Sequence, residues 1–141
     1  MGGMPDGTLK WRVNRKYRLP GFEEKSEGMI SFEYMFSSGE QLVDDKKLKY
    51  SGTRRQAFLP YNEDGIVIFN RLIQAFERRL TFMVGTSLTT GLTDTVVWAG
   101  IHHKTSHRGG PFGFPDETYL ERVRDELKVR GIIETKTEME E

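Results

Sequence analysis

The sequence predicts an α+β fold: one compact domain in which antiparallel or mixed strands pack against two main helices. Residues 29–36 alternate between apolar and polar side chains, which is the period of a half-buried strand. Residues 66–80 place apolar side chains three and four positions apart, which is the period of an amphipathic helix. The remaining patterns contain no repeated strand–helix–strand unit, which favours α+β over a parallel α/β sheet.

The composition is typical of a globular domain that buries a core without disulfides or metal. The 141 residues are 36% hydrophobic and 30% charged, and 21 basic residues balance 21 acidic ones. A balanced chain has no overall positive field to hold nucleic acid or an anionic membrane. No apolar run approaches the ~18 residues that span a bilayer. We therefore expect no membrane partner and no direct readout of nucleic acid.

The chain contains no cysteine, which excludes a disulfide framework and a cysteine-based zinc module within these residues. His102, His103 and His107 lie close together, but no further group of metal-binding residues follows them. We therefore expect no metal site. A chain without cysteine is compatible with a reducing compartment, and we expect a cytoplasmic or nuclear location.

Further strands are expected at residues 8–13 and 56–59, and a pair at 81–84 and 93–98. Residues 37–49 are polar and are expected to form a loop with solvated charges.

The two main helices are expected at about 62–80 and 116–130. Asn62 begins the first helix pattern, and Asp116 is placed to cap the second. Gly131 is expected to end the second helix. The buried stripe of the first helix comprises Ile66, Phe69, Leu72, Ile73, Phe76 and Leu80, and that of the second comprises Leu120, Val123 and Leu127.

A segment rich in hydroxyl residues and glycine lies between the last two predicted strands. It reads Gly85-Thr86-Ser87-Leu88-Thr89-Thr90-Gly91. Backbone N–H groups in a tight turn form a concavity that binds anions, and hydroxyls add hydrogen bonds to a polar ligand such as a nucleotide. The same residues are more typical of an ordinary hairpin loop, so the segment by itself does not establish a binding site.

Several segments, taken in order, resemble the Deltex C-terminal domain over residues 4–133. The segments are Trp11, Leu19-Pro20-Gly21-Phe22, 50–60, Arg79-Leu80-Thr81-Phe82, Val84-Gly85, Ser87, Thr89-Thr90-Gly91, Trp98, Ile101-His102-His103-Lys104-Thr105, Gly113-Phe114-Pro115-Asp116 and 119–131. The resemblance leaves residues 1–3 as boundary residues and 134–141 as a charged tail.

The resemblance implies a function. Deltex proteins are RING-type ubiquitin ligases whose C-terminal domain binds ADP-ribose and NAD in a cleft and presents ADP-ribosylated targets for ubiquitin transfer. In some members ubiquitin is joined to ADP-ribose itself. The implied partners are ADP-ribosylated proteins or nucleic acids, a RING domain and a ubiquitin-loaded E2; no cofactor or metal is implied. Without cysteines this chain holds no RING, so we expect the recognition half of a ligase.

The resemblance also implies a set of ligand-binding residues. They are Thr86, Ser87, Leu88, Thr89, Thr90, Gly91, Trp98, His102 and Phe112. Adjacent side chains of an extended segment point to opposite faces, so we expect His102 to face the ligand and His103 to lie in the core. Trp98 equally fits a core position.

Leu88 and Phe112 depart from the family pattern, which has a small polar residue at the first position and histidine or tyrosine at the second. A leucine narrows the cleft, and a phenylalanine stacks on a ring but exchanges no proton. A protein-binding domain with a degenerate nucleotide pocket is therefore the alternative interpretation.

Glu126 matches the acid that acts in the family as general base on a ribose hydroxyl. At ~100° per residue it lies about 20° from Tyr119 around the helix, beside the buried stripe, which suits the rim of a cleft. The alternative is an exposed ion ladder, because Arg122, Glu126 and Arg130 are spaced four apart. In the first case the domain contributes to catalysis of ubiquitin transfer onto ADP-ribose.

Overall fold

A computed structural model describes residues 2–85 and 94–133, and the predicted α+β fold is confirmed. Within these ranges the chain forms seven strands: β1 Thr8–Asn14, β2 Met29–Phe36, β3 Gly39–Val43, β4 Lys46–Tyr50, β5 Thr53–Pro60, β6 Phe82–Gly85 and β7 Thr95–Trp98. The two helices are α1 Glu63–Glu77 and α2 Tyr119–Val129. The strands form three antiparallel sheets with the orders β1-β2-β5, β3-β4 and β6-β7.

The central strand β2 contributes five residues to the core, namely Met29, Ile30, Phe32, Tyr34 and Phe36. It pairs with β1 on one side and β5 on the other, with Phe32 opposite both Trp11 and Ala57. Helix α1 covers one face of this sheet through Phe69, whose ring lies 4.8 Å from that of Phe32. Alternation predicted one buried face, but Ser31 on the other face is also buried, because flanking segments cover the central strand on both sides.

Residues 37–49 do not form the predicted loop; they contribute the hairpin of β3 and β4, with Val43 opposite Lys46. Asp44 and Asp45 make the turn with φ values of 52° and 65°. Two successive left-handed residues match the right-handed twist of a two-residue hairpin, and aspartate tolerates that conformation. The prediction was wrong because these short strands are rich in polar and charged residues and Leu42 lies on the exposed side of β3, so the alternation of apolar and polar residues is weak.

Helix α1 starts where it was predicted and ends earlier. The Asn62 side chain accepts a hydrogen bond of 2.8 Å from the Gly65 amide, which caps the first turn. After Glu77 the chain leaves the helix because Arg79 takes a left-handed φ of 60° and Leu80 N bonds the Ala75 carbonyl. The Arg79 side chain donates to the Met4 carbonyl at 3.0 Å and fastens the amino-terminal residues there.

Helix α2 begins at Tyr119 rather than at residue 116, and the predicted Asp116 cap is wrong. The residue at the cap position is Thr118, which makes no side-chain capping bond. The Asp116 carboxylate binds Lys104 and Arg122 through Oδ2 and accepts from the Thr118 amide at 3.3 Å through Oδ1. The predicted end is confirmed, since Gly131 has a φ of 82° and Ile132 N donates to the Leu127 carbonyl.

Strands β6 and β7 pair as predicted, with Phe82 opposite Trp98 and Gly85 opposite Thr95. Gly2 bridges to Val84 on the outer side of β6. Within the described ranges, no helix has the length and apolar character needed to cross a membrane.

Candidate functional site

His102 and His103 face opposite sides of their segment, as predicted. His103 is buried, with 9% of its surface exposed, whereas the His102 side chain is 77% exposed. The segment is held beside β5 because Phe58 N donates to the Lys104 carbonyl at 2.9 Å. An inward and an outward imidazole therefore lie next to each other on a fixed stretch of backbone.

Helix α2 holds His102 at three points. The Glu126 carboxylate accepts the His102 amide at 2.9 Å through Oε1 and contacts the ring Nδ1 through Oε2. The Tyr119 hydroxyl donates to the His102 carbonyl at 2.8 Å. Tyr119 and Glu126 lie seven residues apart, which places them two turns apart on one helix face. The exposed imidazole is thereby fixed in orientation with Nε2 directed away from Glu126.

The ion ladder that was the alternative role for Glu126 does not form among the described residues of α2. Arg122 binds Asp116, and Arg130 donates to the main-chain carbonyl of Glu126 at 2.9 Å instead of its carboxylate. Glu126 thus lies at the edge of the buried face, with its side chain 25% exposed. A carboxylate on Nδ1 selects the tautomer with a proton there, so a neutral His102 presents Nε2 as an acceptor and a charged one presents it as a donor.

His103 makes two hydrogen bonds that define its protonation. Its Nδ1 lies 2.9 Å from the Ile101 carbonyl, and its Nε2 lies 2.7 Å from the Tyr34 hydroxyl. A carbonyl only accepts, so Nδ1 carries the proton and Nε2 accepts from Tyr34. Burial lowers the pKa of His103 to about 4. The inner histidine is therefore neutral near pH 7.

Trp98 lies between the core and the surface, partly buried in a stack of rings. Phe82 and His103 each lie 4.5 Å from its ring centre, with interplanar angles of 25° and 29°. Two such rings would overlap if they shared one face of the indole, so they cover its two faces. Only the edge of Trp98 is left for the ligand contact that was predicted for this residue.

Lys104 is a buried cation that the sequence patterns did not single out as a site residue. Its Nζ donates to Asp116 Oδ2 at 2.8 Å and to the Pro111 carbonyl at 3.2 Å, and lies 5.4 Å from the Tyr119 ring centre. The hydrogen bond from Lys104 lowers the pKa of Asp116. Lys104 therefore fastens the loop 105–114 to the start of α2.

Phe112 lies on that loop and is 66% exposed. Its carbonyl accepts from Ser106 N at 2.9 Å, which closes the loop, while its ring makes no aromatic contact among the described residues. The structure does not bring Phe112 against His102 or Trp98.

The predicted residues Thr86, Ser87, Leu88, Thr89, Thr90 and Gly91 lie outside the described residues. Among the described residues that flank it, Gly85 of β6 pairs with Thr95 of β7, which lies three residues or about 10 Å along the strand from Trp98.

A groove of about 1030 Å³ lies elsewhere, between the first turns of α1 and α2. Phe22, Asn62 and Leu120 are among its lining residues, and it contains none of the predicted ligand-binding residues. Across residues 2–85 and 94–133, no three histidine, aspartate or glutamate side chains are grouped to hold a metal ion.

Three residues beside the two histidines were not predicted as site residues. Tyr34 and Tyr119 hydrogen-bond to the histidines, and Lys104 fastens the adjacent loop. Tyr34 and Tyr119 carry no sequence signal beyond their apolar periodicity, and Lys104 carries only its place in the His102-His103-Lys104-Thr105 run. Their partners lie up to 69 residues away, which sequence spacing does not reveal.

Comparison with known proteins identifies the family. The profile of the Deltex C-terminal domain matches residues 1–132. The probable E3 ubiquitin-protein ligase DTX3 of Homo sapiens is 43% identical over 137 residues, covering 94% of this chain and 39% of that protein. The E3 ubiquitin-protein ligase DTX1 of Homo sapiens is 38% identical over 137 residues, covering 94% of this chain and 22% of that protein.

The E3 ubiquitin-protein ligase DTX4 of Mus musculus is 41% identical over 145 residues, covering 99% of this chain and 23% of that protein. The chain thus spans about two fifths or less of the length of these relatives. The match over almost its whole length means that the chain belongs to the Deltex C-terminal domain family.

Proposed function

We propose that this domain binds ADP-ribose, free, within NAD, or attached to a protein or nucleic-acid target. The binding surface combines the segment Thr86–Gly91, the edge of Trp98 and the outward ring of His102. In this proposal the main-chain amides and hydroxyls of the segment bind the diphosphate and riboses, while the imidazole stacks on or hydrogen-bonds a ribose.

The observation that carries the proposal is the fixation of His102. An exposed side chain ordinarily keeps its rotamer freedom, because ordering it opposes folding and buries little. Here Glu126 and Tyr119 hold the residue by its amide, its carbonyl and its ring while most of the ring faces solvent. Such preorganisation strengthens binding, because the ordering has already taken place before the ligand arrives.

The relatives suggest the wider role. They are named as E3 ubiquitin-protein ligases, and this chain corresponds to a minor part of each. We propose that the domain presents ADP-ribosylated targets for ubiquitin transfer by a RING domain and a ubiquitin-loaded E2 in a larger assembly.

Calorimetric titration with ADP-ribose, NAD and AMP tests the binding proposal. We expect ADP-ribose to release heat and to raise the melting temperature, and His102→Ala to weaken binding at least tenfold, or about 1.4 kcal/mol. Glu121→Gln, an exposed change on the same helix, is the control and should bind as the wild type does. A wild-type domain that shows neither heat nor thermal protection at millimolar ADP-ribose contradicts the proposal and favours the degenerate pocket to which Leu88 and Phe112 point.

A second candidate function is a catalytic contribution to ubiquitin transfer onto ADP-ribose. The contact between Glu126 and His102 favours it, since a carboxylate on Nδ1 holds the tautomer in which Nε2 is the accepting nitrogen. The exposed ring of Phe112 supplies no proton. Glu126→Gln should lower transfer at least tenfold in a reaction supplemented with RING and E2, beyond any change in binding. Unchanged transfer with intact binding would exclude the catalytic role and leave the recognition role standing.

A further inference from the structure

Tyr34 is the centre of an aromatic cluster that connects two parts of the candidate site. Its ring is fully buried and meets Phe82 at 5.1 Å, Trp98 at 5.9 Å and His103 at 5.3 Å. Phe82 and Trp98 belong to β6 and β7, the strands that lead into and out of residues 86–93. His103 belongs to the segment that carries His102.

The hydroxyl of Tyr34 defines which way the His103 ring faces. With Tyr34 donating to Nε2, the Nδ1 proton is directed to the Ile101 carbonyl. The His103 ring is then stacked on Trp98 with an interplanar angle of 29°. The Ile101 carbonyl belongs to the same peptide unit as the His102 amide, which donates to Glu126. The plane of that single peptide therefore depends on both histidines.

We propose that Tyr34 and His103 act as a positioning pair for the nucleotide site. Together they set the orientation of the Ile101–His102 peptide. Through the stacking of His103 on Trp98, they also fix the position of this peptide relative to β6 and β7. The inference rests on the proposed function, because it assigns these two buried residues a part in ligand binding beyond their packing. Neither residue touches the ligand.

The physical basis is a continuous series of direct contacts. From β6, the order is Phe82, Trp98, His103 and then the peptide that joins Ile101 to His102. Because core side chains are closely packed, a shift of one ring moves its neighbours. A ring of His103 that loses its partner on Nε2 is free to turn or to move its proton to that nitrogen, and the Ile101 carbonyl then loses its donor.

The test compares Tyr34→Phe with Tyr61→Phe in the same domain. Both changes remove one hydroxyl from a buried tyrosine, but the Tyr61 hydroxyl accepts from Arg15 at 3.3 Å, away from the two histidines. We expect Tyr34→Phe to raise the Kd for ADP-ribose about fivefold, the effect of one lost hydrogen bond, and Tyr61→Phe to leave it unchanged. Imidazole nitrogen spectra should place the His103 proton on Nδ1 in the wild type and show that preference lost in Tyr34→Phe.

A purely structural role predicts a different outcome. Tyr34→Phe would then melt at a lower temperature, and the His103 proton would no longer prefer Nδ1, but the variant would bind ADP-ribose with the wild-type Kd. This result would overturn the inference. If the wild type binds ADP-ribose and Tyr34→Phe has the same Kd, the proposed function stands and only the positioning pair is overturned. If the wild type does not bind ADP-ribose, the proposed function and the positioning pair are both overturned.

If Tyr34→Phe does not fold, His103→Gln provides the same test. The glutamine amide still accepts from Tyr34 and donates to a carbonyl, but it has no ring to stack on Trp98. Weakened binding in a folded His103→Gln domain supports the positioning pair, and a wild-type Kd overturns it.

Discussion

The hydroxyl of Tyr119 donates a hydrogen bond of 2.8 Å to the main-chain carbonyl of His102. The bond ties the first residue of α2 to the outward histidine, and the carboxylate of Glu126 binds the same histidine two turns further along. One face of α2, through Tyr119 and Glu126, therefore sets the orientation of the His102 ring. Removing either contact tests whether ligand binding depends on it.

Tyr119→Phe removes this hydroxyl and leaves the His102 carbonyl without its donor. We expect a loss of about 1 kcal/mol in the free energy of unfolding and a several-fold weaker affinity for ADP-ribose. Urea denaturation and calorimetry measure the two quantities. The matched control is Tyr17→Phe, because the Tyr17 hydroxyl also donates to a main-chain carbonyl, that of His107 within the loop 105–114, at 2.9 Å. Equal affinity loss in both variants would contradict a specific role for Tyr119.

Asp116→Asn should destabilise the domain by about 2–3 kcal/mol, because it leaves the buried Lys104 ammonium without its counter-charge. Lys104→Met with Asp116→Asn should recover part of this loss, since the double variant no longer buries a charge. Urea midpoints of the two single variants and the double variant form a thermodynamic cycle. Strictly additive losses would show that the two side chains do not interact in solution.

The pH dependence of stability follows from His103. Its folded pKa of about 4 lies below the ordinary value of 6.5, so the unfolded chain binds the proton first as the pH falls. The stabilisation is complete above about pH 6.5 and is lost progressively down to about pH 4, by about 3 kcal/mol in total. Tyr34, Glu126 and His102 are the titratable groups that face this ring.

Urea midpoints measured across that pH interval test the expectation. His103→Gln has no titrating group at this position and should show a shallower fall in stability between pH 6.5 and pH 4. His102 and His107 remain in both proteins, so they cancel in the comparison. A wild type and a His103→Gln variant with the same pH profile would rule out His103 as the source.

Asn62→Ala should lower the free energy of unfolding by about 1 kcal/mol, because the Gly65 amide then loses its capping acceptor. The change lies at the start of α1, among residues that do not contact His102 or Glu126. Circular dichroism during thermal melting measures the loss, and ADP-ribose affinity should remain at its wild-type value. Asn62→Asp retains the acceptor for the Gly65 amide but loses the donor to the Lys25 carbonyl, so it should melt between Asn62→Ala and the wild type.

The predictions that failed share a physical reason. Asp116 precedes a helix and was assigned the capping role, but the helix begins three residues later, and Lys104 and Arg122 bind its Oδ2 while Oδ1 accepts from the Thr118 amide. The alternative ladder of Arg122, Glu126 and Arg130 does not form, since Arg122 binds Asp116, Glu126 binds His102 and Arg130 donates to main-chain carbonyls. Helical spacing describes which side chains are neighbours along one element and not which groups reach them from another.

The alternation of β2, the cap at Asn62, the left-handed Gly131 and the opposed faces of His102 and His103 were all predictable from the chain. Each depends on residues within a few positions, so periodicity and backbone stereochemistry are sufficient. The pairing of Tyr34 with His103 joins residues 69 apart, and that of Tyr119 with His102 joins residues 17 apart. Such pairs exist only once the strands and α2 have packed, because a hydrogen bond requires two atoms to meet within about 3 Å whatever their separation along the chain.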